Sequence, residues 1–393
     1  MSIKNRLNKN NFKRGIVFAS KAGDFVENSI GRAIEAKRLA PDLPKDPQKM
    51  IWYRVPLERG LSGDGSEYYI YVKLADPDKL CVFFSGGGVA WNEYTAARPV
   101  TGGKVAAGQP NFYWNNLRPF TQLMNINVGI TDIVSEKNPF RDWSFVVITY
   151  ATGDFHVGCN DYPYKTEDGR DDVLHFHGYV NFNESMKLSK SLFPNPSKLL
   201  IAGNSAGAFA VPALAGEIVD RYYPKTGNVT LFSDSGLLLY KHWRRTAKHI
   251  WQAKESIWKP IHSDNITLDW YKDLYERYGD RFRYLYSSSD RDYILSAYYN
   301  DIVNRKYKTD SDVQEEYFQQ NKKMIAELKE ITPYFGMYVN DWKIPLITFG
   351  GTVHTSVREP HFTLLAQNGI TMAEWLKDAV EGKVYDVGLD LLR

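Results

Sequence analysis

Three stretches of this chain carry residue types that could do chemistry together. They are Gly203-Asn204-Ser205-Ala206-Gly207, Ser287-Ser288-Ser289-Asp290-Arg291-Asp292 and Gly350-Gly351-Thr352-Val353-His354. A serine hydroxyl is a poor nucleophile until a neutral imidazole takes its proton. The imidazole must then be oriented, and its cation stabilised, by a carboxylate behind it. The order Ser, Asp, His makes Ser205 the nucleophile, His354 the general base and then acid, and Asp290 the orienting carboxylate. Asp290 is preferred because it follows its strand most closely. Asp292, which is also suited to capping a helix, and Asp234, one strand earlier, are the alternatives. The turn Gly86-Gly87-Gly88 offers bare backbone N–H groups to a developing oxyanion. Gly87, Gly88 and Val89 are candidate donors, with the Ala206 N–H beside the nucleophile.

Other chemistries fit less well. The glycine turn is not followed by Gly-Lys-Ser/Thr, so it is no P-loop. His175 and His177, with Cys159 and Asp161, lack the spacing of Cys-x-x-Cys or His-Glu-x-x-His, and no metal is expected. No organic cofactor is implied either.

These groups need elements to position them. Leu199 to Ala202 is a short apolar run, and Ala208 to Tyr222 is rich in Ala, Val, Leu and Ile at helical spacing, so Ser205 sits at a tight strand-to-helix corner. Glycine on either side removes side chains where the two backbones nearly touch. Ile51 to Val55 and Tyr68 to Leu74 alternate like two antiparallel strands joined across Gly63-Asp64-Gly65. Leu80 to Phe84, Trp143 to Tyr150, Val229 to Phe232, Arg283 to Tyr286 and Pro345 to Phe349 read as further strands buried on both faces. Strands alternating with helices predict an α/β protein with a mainly parallel sheet and helices on both faces. Two antiparallel strands ahead of the parallel run is the α/β-hydrolase plan. In it the reactive groups collect at the carboxyl ends of the strands. The reading divides the chain into an N-terminal arm (1–49) and one domain (50–393). Long insertions at about 92–141 and 237–280 would form a lid or cleft wall. The tryptophans of the second are expected mainly to pack it onto the body.

The chain has 393 residues, 43% hydrophobic, enough for one large domain with insertions. Its net charge of +3 creates no strong field for nucleic acid. Most of that excess lies in Lys4, Arg6, Lys9, Lys13 and Arg14, read as a solvated tail. No apolar run is long enough to span a bilayer, and no signal peptide is visible. Two cysteines, Cys81 and Cys159, make no disulfide framework. A cytoplasmic protein of open oligomeric state is the expectation.

Several segments resemble the pectin acetylesterase family, which includes the Notum-type carboxylesterases. They are Val82 to Gly88, Gly153-Asp154-Phe155-His156-Val157-Gly158, Phe176-His177-Gly178, the Ser205 turn, Ser233-Asp234-Ser235-Gly236, Ser289-Asp290 and Asn368 to Leu376. The resemblance implies an acyl-removing serine hydrolase with Ser205, Asp290 and His354 as triad, and Gly88, Val89 and Ala206 as oxyanion donors. It makes Asp234 a structural residue of the site wall. The chain departs from the pattern in three ways. Val89-Ala90 replace the usual Trp-Cys, Tyr293 stands where a glutamine is usual, and the disulfides of secreted members are lacking. These departures bear on specificity and location more than on the chemistry. The implied reaction is hydrolysis of an O-acetyl ester on a saccharide. The alternatives are a lipase- or depolymerase-type esterase and a non-catalytic binding protein on the same fold.

Overall fold

The computed structural model describes residues 40–117, 124–344, 348–358 and 361–393. Most of the N-terminal arm, and Pro345 to Ile347 of the expected last strand, lie outside the described residues.

Eight strands form one twisted sheet. In chain order they are β1 (Trp52–Leu61), β2 (Glu67–Lys73), β3 (Asp76–Phe84), β4 (Trp143–Ile148), β7 (Lys198–Asn204), β8 (Asn228–Asp234), β9 (Phe282–Ser289) and β10 (Gly336–Asn340). The strands β5 (Asn160–Lys165) and β6 (Asp171–Phe176) form a separate antiparallel hairpin. The spatial order of the sheet is β1-β2-β4-β3-β7-β8-β9-β10. β1 pairs antiparallel with β2, and β2 with β4; every later pair is parallel. The expected α/β-hydrolase topology is therefore present.

Both faces of the sheet are covered, which is why its central strands read as unbroken apolar runs. Val82, Phe84, Ile201 and Leu231 face one core, while Cys81, Phe83, Leu200, Ala202 and Phe232 face the other. The helices α1 (Gly178–Leu192), α2 (Ala206–Glu217), α3 (Ile266–Tyr278), α4 (Tyr293–Asn304) and α5 (Ser311–Ile331) contribute to the first core. α6 (Met372–Val380) covers the second. Its Trp375 packs edge-on to Phe232, with ring centroids 5.7 Å apart. A capping box between Thr371 and Glu374 starts this helix.

Parts of both long connections reach the carboxyl ends of the strands, where Trp114 and Leu238 line the same cavity as Ser205, while Ile126, Ile130 and Phe140 of the first pack into the second core. Trp243 and Trp251 are fully buried, and Trp251 Nε1 donates to the Ala90 carbonyl at 2.8 Å. Phe112 and Tyr113 are buried as well, whereas Trp114 lines a cavity. The last strand of this sheet in chain order, among the described residues, is Gly336–Asn340. Of the expected strand Pro345 to Phe349, only Thr348 and Phe349 are described, and they lie in a bend and a turn.

Candidate active site

Ser205 stands between the end of β7 and the start of α2 with φ 52° and ψ −125°, a conformation that non-glycine residues rarely adopt. The neighbouring glycines make the corner possible. A Cβ on Gly203 would lie 2.2 Å from the Gly207 carbonyl oxygen, and one on Gly207 would lie 2.0 Å from that of Phe84. The Ser205 N–H donates to the Asp234 carbonyl at 2.8 Å, tying the corner to β8.

His354 reaches the same place from a loop zipped onto the end of β9. The Thr352 N–H donates to the Arg291 carbonyl at 2.9 Å, and the Arg291 N–H to Thr352 Oγ1 at 2.9 Å. This pairing sets Asp292 opposite Thr352 and brings its carboxylate under the imidazole. His354 Nδ1 lies 2.6 Å from Asp292 Oδ2, with side chains 10% and 0% exposed. The other carboxylate oxygen, Oδ1, accepts the N–H groups of Ile294 and Leu295, each at 3.0 Å, capping α4. Asp292 is therefore both helix cap and partner of the histidine. Fixed by two backbone donors, it can hold one imidazole tautomer.

The expectation that Asp290 stands behind His354 is corrected by this geometry. Asp290 Oδ2 binds Arg291 Nη1 at 2.6 Å, and burial pushes its carboxyl above the ordinary range against the pull of Arg291. Asp290 and Arg291 form a turn beyond the end of β9, and it is Asp292, bridged to Thr352, that meets His354. Asp234 plays a third part. Its Oδ2 accepts the N–H groups of Ser356 and Val357 at 2.7 and 2.9 Å, bracing the segment just after His354. Burial raises its pKa.

The glycine turn after β3 closes the site. A Cβ on Gly86 would meet Ser205 Oγ at 3.3 Å, and one on Gly88, whose φ is 80°, would meet the Phe112 carbonyl oxygen at 1.9 Å. Val89 is removed from the donor set, because its N–H is spent on that same carbonyl at 2.8 Å. The N–H groups of Gly87 and Gly88 have no partner among the described residues. Ala206, at the first position of α2, points its N–H toward the same end of the sheet. Below the turn, His156 Nε2 contacts the Ser85 carbonyl at 2.9 Å, and burial pushes its pKa down to about 4. Asp154 gathers the N–H groups of His156, Gly158 and Gly178 at 3.1, 3.2 and 2.8 Å. The short motifs of these segments thus form a buried brace under the turn.

Gly86, Gly87, Gly88, Ser205, Ala206 and His354 line one cavity of about 570 Å³. Its remaining wall is largely apolar, from Val100, Trp114, Val128, Leu238, Ile294, Leu295 and Tyr298. One charged wall residue carried no signal in the sequence. Arg358 is 4% exposed, and its guanidinium donates to Ser85 Oγ at 3.3 Å and Asn125 Oδ1 at 3.3 Å and to the Met124 carbonyl.

Comparisons with known proteins bear on the family and the fold. The pectinacetylesterase family model matches residues 64–269, more than half of the chain. Among solved structures, the Wnt deacylase Notum from Drosophila superposes with a TM-score of 0.56 at 14% identity, covering 85% of this chain and 95% of that one. At that identity the likeness shows the fold. No curated protein matches the chain. The expectation of a cytoplasmic location is overturned, since the matching family and Notum are secreted, extracellular proteins. Among the described residues no helix is long and apolar enough to cross a membrane.

Proposed function

Because the chain belongs to the pectinacetylesterase family, and so to the acyl and acetyl ester hydrolases, we propose that it works as a serine esterase removing an acetyl group from an acylated saccharide. The observation that carries this reading is one cavity holding Ser205 at a strained corner and His354 bound to a buried carboxylate. In the proposed path Ser205 Oγ attacks the ester carbonyl carbon as its proton passes to His354 Nε2. The negative charge moves to the carbonyl oxygen, met by the N–H groups of Ala206 and of Gly87 or Gly88. Collapse breaks the ester C–O bond, and the leaving alcohol takes the proton from His354. Water, deprotonated by the same nitrogen, then releases the acid and restores the serine. Asp292 stabilises the imidazolium without itself taking the proton.

A second reading follows from the cavity. Its volume of about 570 Å³ and the apolar part of its wall leave room for an acyl chain longer than acetyl. Rates on a series of esters with one alcohol and acyl chains from acetyl to octanoyl separate the two. The acetylesterase reading expects the highest kcat/KM at acetyl, falling with length. A maximum at six carbons or more overturns it in favour of the second reading.

A further inference from the structure

A second group of histidines lies outside the cavity. Asp161 is the cross-strand partner of His175 in the β5–β6 hairpin, and His177 follows two residues later at the start of α1. Residues two apart at a strand end point to one side, and the cross-strand partner of the first faces the same way. His175 Nδ1 lies 2.6 Å and His177 Nε2 2.9 Å from Asp161 Oδ1. The two rings are nearly perpendicular, at 83°. One ligand atom from each of the three residues lies within 4.8 Å of the others. None of the three lines the active-site cavity.

We propose that Asp161, His175 and His177 form a binding site for a borderline divalent transition ion such as Zn²⁺. Two imidazole nitrogens and one carboxylate converging from three directions is a ligand set that such ions prefer, with solvent completing the shell. Bonds of about 2.0–2.1 Å place neighbouring ligand atoms roughly 3.0–3.4 Å apart, so the present contacts must open by a few tenths of an ångström. Asp161 can supply that movement, since its side chain is 61% exposed. The histidines are held more firmly, at 24% and 23% exposure. The His175 N–H donates to the Gly63 carbonyl at 2.9 Å, and the His177 N–H to the His175 carbonyl at 2.9 Å. A bound ion would therefore tie the hairpin, the turn at Gly63 and the start of α1 together. Spacing rules missed the site because its third ligand comes from a neighbouring strand rather than from a fixed offset in the chain.

The test uses the full chain after exhaustive chelation. Titration with Zn²⁺ by calorimetry is expected to show one equivalent binding saturably, and Co²⁺ to develop visible absorption bands of a low-symmetry site. Asp161→Asn, a substitution at an exposed position, and His177→Ala are each expected to weaken binding at least about tenfold. His249→Ala, at an exposed histidine elsewhere, is expected to leave it unchanged. Zn²⁺ should raise the melting temperature of the wild type and not that of His177→Ala. Absence of saturable Zn²⁺ binding to the wild type, or binding that survives both Asp161→Asn and His177→Ala, overturns the proposal. None of these readouts depends on ester turnover.

Discussion

Two regions of the molecule pair histidine with aspartate at the same distance and to different ends. His354 Nδ1 and Asp292 Oδ2 are 2.6 Å apart, as are His175 Nδ1 and Asp161 Oδ1. At the first, the carboxylate is wholly buried and its other oxygen is committed to capping α4. At the second, the carboxylate is open to solvent and shared between two imidazoles. A short contact therefore does not assign a role; what surrounds it does. The buried carboxylate is immobile and serves a single imidazole beside a cavity, which suits proton transfer. The exposed one can swing, and with the two imidazoles it makes three converging ligand atoms, which suits an ion.

Substitutions at the carboxylates sharpen this contrast. Asp292→Asn should lower kcat for a chromogenic short-chain ester by on the order of 10³–10⁴, because an amide no longer holds the needed tautomer or stabilises the cation. Asp290→Asn should stay within about tenfold of wild type, since Asp290 serves Arg291. An equal loss from both would break the distinction drawn between them. Asp234→Ala should cost roughly 10- to 100-fold in kcat, by leaving the Ser356 and Val357 N–H groups without their acceptor and loosening the His354 segment.

The brace under the glycine turn makes a prediction about stability. His156 has its pKa lowered from 6.5 to about 4, so the unfolded chain binds a proton that the folded one refuses between those values. Its contribution is therefore lost as pH falls through that window and is regained above 6.5. At about 1.4 kcal/mol per pH unit, wild type should lose up to about 3 kcal/mol more than His156→Gln between pH 7 and 4, read by urea unfolding. Parallel curves for the two proteins would remove His156 as the cause. The smallest effect belongs to the exposed pair, where Asp161→Asn should leave ester turnover within experimental error of wild type.

What was legible in the sequence is what local contacts enforce. Gly203 and Gly207 are required by backbone atoms only 2.2 and 2.0 Å from where their side chains would begin, so the serine corner announces itself within five residues. The central strands were equally plain, because burial on both faces leaves an apolar run. The choice between Asp290 and Asp292 was not local. It is decided by the bridge from Asp292 to Thr352, a pairing across some sixty residues that proximity to a strand end does not encode. The donor role given to Val89 failed for the same reason, since the Phe112 carbonyl that takes its N–H comes from the following insertion. The strand Gly336–Asn340 left a weak signal, because only Met337 to Val339 are apolar in it and its place is set by pairing with β9. The β5–β6 hairpin left little pattern, as alternate residues of β5, Asp161, Pro163 and Lys165, are exposed and the residues between them are only half-buried.

The central claim is that Ser205 is an activated nucleophile, and its reaction with a fluorophosphonate tests that claim most directly. Peptide mapping by mass spectrometry after labelling should find one adduct on Ser205, with no labelling of Ser205→Ala and greatly slowed labelling of Asp292→Asn. A protein that stays unlabelled while folded, or an adduct retained by Ser205→Ala, would contradict the account.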